Sequence, residues 1–332
     1  MSAPRANAPK PVSRRIWPWT VAVLAVIACV IGLGLLSVRP TPAPTPVPSA
    51  GTTYAAVFTG DATGTTDVTS ALRAFLQGNS GKRVALAPNG IYKVTQLSFT
   101  ASNLTVDFRG ARIQGSQAGA HGIFRIVSSS NIVLNDPQVY GTGYGWIADY
   151  QNEHGIQVSG GSNIIINNPI TRNTRGDGIY TSYSAGSNLP PVGVVINNPD
   201  IERASRNGIA PVAGEVTIRG GHIAYTGLHG VDFEANNDTG AGSIVGVVDG
   251  VDIRHPGDLG IYTGYAVAAV GYSSATKPSM LVQNLTGDKL RMIIYDTASV
   301  IVRNNVSDTT TTAEFSGCGT VSFSGNTRIS RI

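Results

Sequence analysis

HGIF (121–124), HGIQ (154–157), DGIY (177–180), NGIA (207–210), HGVD (229–232) and LGIY (259–262) are restatements of one phrase, and their recurrence decides the fold. The glycines at 122, 155, 178, 208, 230 and 260 are separated by 33, 23, 30, 22 and 30 residues. Each phrase leads into an apolar strand. In three coils a turn ending in proline follows, at Ile132 to Pro137, Ile164 to Pro169 and Val194 to Pro199. Short strands and turns repeating at about 20–35 residues are the signature of a solenoid.

Such a coil holds too little apolar area to fold alone. Stacked at about 4.8 Å, successive coils bury columns of Ile and Val and pair every strand with its neighbours. The stacking predicts that Asn135, Asn167 and Asn197 align as a ladder of side-chain amides. A β-sandwich also has many short strands, but its turns recur every ~8–12 residues without repetition of whole phrases. The expected class is therefore all-β: a right-handed parallel β-helix over residues 51–332.

Upstream of the repeats, Thr66 or Asp67 can cap a helix whose apolar residues Val68, Ala71, Leu72, Phe75 and Leu76 share one face. Gly78 and Gly81 end it, and a strand from Arg83 to Ala87 and a Pro-Asn-Gly turn follow. The series Gly60-Asp61, Thr66-Asp67, helix, and Pro88 through Tyr92 resembles the opening module of the pectate-lyase-like superfamily. That resemblance implies a short helix capping the first coil and a groove along the β-helix that handles a long polysaccharide. The polygalacturonase set is missing, with no Asn-Thr-Asp, Asp-Asp, Gly-His-Gly or Arg-Ile-Lys. The aspartate cluster and basic residues of a calcium-dependent pectate lyase are not evident either.

The formal charge of +4 comes from the N-terminus: residues 1–50 carry Arg5, Lys10, Arg14, Arg15 and Arg39 and no acidic residue. The rest holds 19 basic against 20 acidic side chains, without the excess a nucleic-acid partner needs. Residues 16–38 form an apolar run long enough to cross a bilayer, preceded by basic residues and flanked by Trp17 and Trp19. One transmembrane signal anchor is expected there, with a cytoplasmic basic tail at 1–15, a Pro/Thr spacer at 39–50 and the β-helix outside the cell membrane. A cleaved signal peptide and a lipoprotein acylated at Cys29 are the alternatives. Cys29 and Cys318 are the only cysteines, so no disulfide framework is expected.

Aligned on the glycine, the next residue of each phrase (Ile123, Ile156, Ile179, Ile209, Val231, Ile261) is branched and faces the core. The second and fourth residues then face outward. One outward column reads Gln157, Tyr180, Ala210, Asp232, Tyr262, and beside it run Ser159, Ser182, Val212 and Glu234. Asp232 and Glu234 share a strand face with α-carbons about 6–7 Å apart, and Asp177 lies two coils earlier. Paired carboxylates are what acid–base cleavage of a glycosidic bond requires. The catalytic candidates are thus Asp177, Asp232 and Glu234. Tyr180, Arg206, His229 and Tyr262 are the substrate-binding candidates, tyrosine offering a flat amphipathic face for sugars. The remaining histidines show no metal-ligand spacing, and no metal or cofactor is expected. The expectation is a glycoside hydrolase acting on polysaccharide outside the cytoplasm. The alternatives are a polysaccharide lyase using Arg206 or His229 as base, and a non-catalytic glycan-binding or structural solenoid.

Overall fold

A computed structural model describes residues 53–118, 121–184, 189–235, 244–271 and 277–332. The expected anchor and spacer lie outside the described residues. Among the described residues, no helix is long and apolar enough to cross a membrane.

From Ala56 to Arg331 the described chain winds through three stacks of parallel strands, a first sheet of 11 strands and a second and third that join through Val306–Ser316 into one of 19. The first sheet runs from Ala56–Phe58 through Ser130–Asn135, Ser162–Asn167 and Val192–Asn197 to Thr320–Ser324. The second includes Gln138–Tyr140, Ile170–Thr174, Asp200–Ala204 and His222–Thr226. The third stacks Leu97–Phe99, Phe124–Val127, Ile156–Ser159, Ile179–Ser182, Ile209–Pro211, Val231–Ala235, Val267–Gly271 and Met292–Tyr295. The described domain is thus a parallel β-helix, as the repeats predict.

Alternation along each strand sends Ile and Val inward in register. Ile132, Ile164, Val194 and Val216 stack coil on coil in the first sheet, all buried. The next position is Gly246, where a Cβ would stand 2.2 Å from the ring of Phe233. Glycine is required there because Phe233 reaches across the core from the third sheet.

The corners are bonded as well as packed. Asn197 donates to Asn167 at 2.9 Å, Asn167 to Asn135 at 2.9 Å, and Asn135 to Asp107 at 2.6 Å. A second ladder, Asn163 to Asn131 to Asn103, opens the first-sheet strands, each asparagine sitting at φ near 54°. Asparagine tolerates this left-handed backbone better than any other residue carrying a Cβ, because its amide bonds locally.

One helix, α1 (Thr69–Gly78), covers the first coil. Leu72 and Leu76 are buried beneath it, and Arg73 bonds the carbonyls of Ser98 (2.8 Å) and Gln96 (3.2 Å). Its N-cap is Val68, which makes no side-chain capping bond, rather than Thr66 or Asp67; Asp67 Oδ1, one residue earlier, accepts the Thr69 N–H at 2.8 Å.

Candidate active site

The third sheet is the candidate face, because register there brings chemistry-bearing residues together. Gln157 pairs with Tyr180, Tyr180 with Ala210, Ile209 with Val231, and Asp232 with Ala268. Asp232 therefore lies two coils from Tyr180 in one outward column. Glu234, two residues along the same strand, shares its face, since Val231, Phe233 and Ala235 between them are buried.

The sixth phrase breaks the pattern. Leu259–Tyr262 is not a strand, and Ile261, expected inside, is 42% exposed. Gly257 and Gly260 adopt φ of 79° and 65° and turn the chain out into a loop, and that coil's strand begins only at Val267. Ala268 occupies the column position expected of Tyr262. Tyr262, 61% exposed, instead lines a shallow depression with Leu228, His229, Thr263 and Tyr265.

Asp177 precedes its glycine and points inward; it is 0% exposed. Its Oδ1 accepts the Asn207 N–H at 2.9 Å. Its Oδ2 faces His154 Nδ1 at 3.0 Å and Arg206 Nη1 at 3.7 Å. Burial pushes this carboxyl upward, but Arg206, His154 and the Asn207 N–H together hold it below the usual carboxylate range. Asp177 is therefore an internal anion rather than a surface acid, and it holds Arg206 in place. The other end of that guanidinium, Nη2, reaches Glu234 Oε2 at 3.4 Å.

The two outward carboxyls behave differently. Burial, reinforced by Glu234 and Asp177, raises Asp232 well above an ordinary aspartate, against the pull of Arg206 and Asn207. Burial also raises Glu234, but its ion pair with Arg206 opposes the rise. One cation thus serves two anions, and Asp232 is the carboxyl whose proton is held more strongly.

Asn207, fully buried, ties these groups together. Its amide donates to Asp232 Oδ2 at 3.3 Å, and its Oδ1 accepts the backbone N–H of His229 at 3.0 Å. His154 lies stacked under the ring of Tyr180 at 4.1 Å and 2°. Burial, with the Asp177 and Glu234 charges nearby, pushes the Tyr180 phenol up to about 12. Burial and the neighbouring Arg206 bring His229 down to about 4, so its ring is neutral at pH 7. His229 Nδ1 accepts the N–H of Tyr265 at 3.2 Å, which leaves the ring proton on Nε2.

Asn207, His154, Tyr265 and Arg125 were not among the candidates drawn from the sequence. Asn207 and His154 occupy the polar position before the phrase glycine, a position legible as polar but silent about its partners. A further segment, 141–151, bounds the face. Both carboxylate oxygens of buried Glu153 accept from Thr142, at 2.8 and 2.6 Å. Gly145 donates to Ser205 Oγ at 3.0 Å, and the Tyr144 hydroxyl donates to Asp258 at 2.9 Å. Among the described residues no cluster of His, Cys, Asp and Glu could hold a metal ion.

Comparison with family models and with curated proteins finds no match. Solved structures do match in fold. The tailspike gp49 of Acinetobacter baumannii bacteriophage Fri1, a capsular polysaccharide depolymerase, matches over 83% of this chain and 57% of its own, with TM-score 0.53 and 15% identity. A catalytic-domain variant of a GH87 α-1,3-glucanase in complex with tetrasaccharides matches over 75% of this chain and 55% of its own, with TM-score 0.51 and 15% identity. The Streptococcus pneumoniae surface protein and adhesin PfbA matches over 76% of this chain and 77% of its own, with TM-score 0.51 and 12% identity. The chain spans little more than half the length of the tailspike and of that glucanase unit. At these identities the likeness establishes the parallel β-helix and nothing finer.

Proposed function

We propose that the third-sheet face binds a polysaccharide and hydrolyses a glycosidic bond, with Asp232 as the acid and Glu234 as the base or nucleophile. The observation that carries this reading is the placement of both carboxyls on one strand face around a single arginine. Burial and the neighbouring anions raise Asp232 well above an ordinary aspartate, while the ion pair with Arg206 opposes the rise of Glu234, so Glu234 gives up its proton before Asp232. An acid of this kind protonates the departing glycosidic oxygen as the C–O bond breaks. Glu234 either takes a proton from the attacking water or attacks the anomeric carbon itself, and in the second case water, deprotonated by Asp232, then cleaves the glycosyl ester and frees Glu234. Asp177 acts from beneath by positioning Arg206. Tyr180, His229 Nε2–H and Tyr262 supply ring faces and a donor for the sugar. A capsular depolymerase and an α-1,3-glucanase among structures of the same fold support the substrate class. The apolar run at 16–38 supports placing this face outside a cell membrane.

The lyase reading needs a base, and the geometry disfavours both residues expected to be one. Arg206 is held charged by Asp177 and Glu234, and His229 carries its ring proton on the free nitrogen. The binding-only reading draws support from the adhesin of the same fold. The test incubates the full-length chain with a panel of neutral and acidic polysaccharides while new reducing ends and ultraviolet-absorbing unsaturated products are followed together. Reducing ends without unsaturation, abolished by Asp232→Asn, are expected. Unsaturated products would establish a lyase, and binding without any product would leave a glycan-binding solenoid.

A further inference from the structure

The outward column continues past Tyr180 to a residue that the hydrolytic reading does not use. Gln157 pairs with Tyr180 on one side and with Arg125 on the other. Arg125 escaped the sequence alignment because one extra residue separates it from its glycine: Phe124, not Ile123, pairs with Ile156. It stands four coil steps from Asp232, about 19 Å along the helix axis at the usual strand spacing.

Its surroundings differ from those of the other arginines on this sheet. Arg206 holds Asp177 and Glu234, and Arg291 holds Glu314 at 3.0 Å. Arg125 has no carboxylate partner among the described residues. Among the described residues its one side-chain hydrogen bond runs from Nε to Ser159 Oγ at 3.2 Å. The side chain is half-buried over a polar floor. Gln157 Nε2 bonds Ser159 Oγ at 3.1 Å, and Ser159 lies 3.2 Å from Ser182 Oγ. Gln157 Oε1, on a residue only 7% exposed, has no hydrogen-bond partner among the described residues. A half-buried guanidinium without a counter-charge is costly, and burial pulls this one below its ordinary value. An incoming anion would remove that cost, and the planar fork of arginine suits a carboxylate or sulfate.

We infer that Arg125, with Gln157 and Ser159 beneath it, is a remote subsite for an anionic sugar, so that the chain bound along the face is an acidic polysaccharide held several units from the cleaved bond. The inference rests on the proposal that this face binds polysaccharide. It does not depend on which residue cleaves.

The test uses affinity electrophoresis of the full-length chain carrying Glu234→Gln, which separates binding from cleavage. The gels contain polygalacturonate, alginate, hyaluronan or dextran sulfate, each beside its neutral counterpart: carboxyl-reduced polymer for the first three, dextran for the last. At least one acidic polymer is expected to retard the protein, and its neutral counterpart to bind about tenfold to a hundredfold more weakly. Adding Arg125→Gln should abolish that preference, and Arg125→Lys should restore part of it. An unchanged melting temperature in both variants shows that folding is intact. The comparison of carboxylated with sulfated polymers identifies the anion. Equal binding of acidic and neutral partners, a preference that survives Arg125→Gln, or no retardation by any acidic polymer overturns the inference. An acid preference without cleavage by the parent chain would retain this subsite and refute the hydrolase. Cleavage without an acid preference would do the reverse.

Discussion

Asp177→Asn separates the buried anion from the groups it organises. The carboxamide oxygen can still accept the Asn207 N–H, now 2.9 Å from Oδ1, so the local backbone keeps its bond. What is lost is charge. At 3.7 Å and an effective dielectric of about 20, the attraction between Asp177 and Arg206 amounts to about 4 kcal/mol. Removing one partner of a buried pair costs about 3–5 kcal/mol, because the other stays behind uncompensated. Arg206 retains Glu234 at 3.4 Å, and the repulsion between Asp177 and the outward carboxyls disappears, so the low end of that range is expected. A loss of about 3 kcal/mol in a domain of this size lowers Tm by roughly 6–12 °C. Calorimetry measures it. The variant should also lower the pKa of Asp232 and of Glu234, since each loses a like charge, and carbon-detected NMR titration of the two carboxyls reads this directly. A Tm within 2 °C of the parent, together with unmoved carboxyl titrations, would falsify the assignment of Asp177 as the anchor of Arg206.

Asp232→Asn and Glu234→Gln should each lower cleavage about a hundredfold to ten-thousandfold, measured by reducing-end release. Neither should lower Tm at pH 7. Asp232 has a raised folded pKa, so its contribution is present below the unfolded pKa and lost as pH rises, and the carboxamide removes that loss. Asn167→Ala breaks both 2.9 Å bonds of the corner ladder, leaving Asn135 Oδ1 and Asn197 Nδ2 without partners. It should cost about 1–3 kcal/mol by denaturant titration, and an unchanged midpoint would remove the ladder from the account of stability. His229 titrates at about 4 in the folded chain against about 6.5 when free, so the unfolded state takes its proton first. Its contribution, about 3 kcal/mol, is complete above pH 6.5 and is lost as pH falls toward 4. Denaturant midpoints for the parent and for His229→Asn should therefore converge as pH drops through this window.

The fold was legible because a phrase had to repeat for the coils to stack. Inward Ile156, Ile179, Ile209 and Val231 follow directly from alternation after the glycine, and the ladder of Asn135, Asn167 and Asn197 follows from the shared turn. The phrase misled where glycine served another purpose. Gly260 opens a loop with positive φ, so Leu259–Tyr262 imitates a coil start without being one. The true strand, Val267–Gly271, lacks the polar residue that marks the others. Arg125 was hidden by a shift of a single residue, enough to reverse which side chain faces out. Asp177 is a catalytic candidate on the sequence, and the structure places it inside as a buried anion. A residue just before the glycine lies at the corner, where the strand has not begun to alternate, and there Arg206 and His154 could enclose it.

The clustering of charge on this face has a consequence for the order in which its groups titrate. Asp177, Asp232 and Glu234 compete for one guanidinium. Asp177 has the strongest claim, since its charge acts most strongly on Arg206 and its Oδ1 also accepts the Asn207 N–H. Glu234 comes next, with a direct contact to Nη2. Asp232 has only the Asn207 amide at 3.3 Å and lies beside two anions. Protons therefore leave in the order Asp177, Glu234, Asp232, and between the last two steps the face carries one proton on the carboxyl next to a base that has lost its own. That is the state an acid–base pair must occupy to act, and it arises from burial of both carboxyls combined with their unequal shares in Arg206. On the proposed reading, cleavage should follow a bell-shaped pH profile whose acid limb belongs to Glu234 and whose alkaline limb belongs to Asp232, both above the ordinary carboxylate range. Arg206→Lys, which keeps the charge but cannot bridge Asp177 and Glu234 with two nitrogens, should draw the limbs together and lower the maximum. A profile that kept its width in that variant would mean that the two carboxyls are set apart by burial alone.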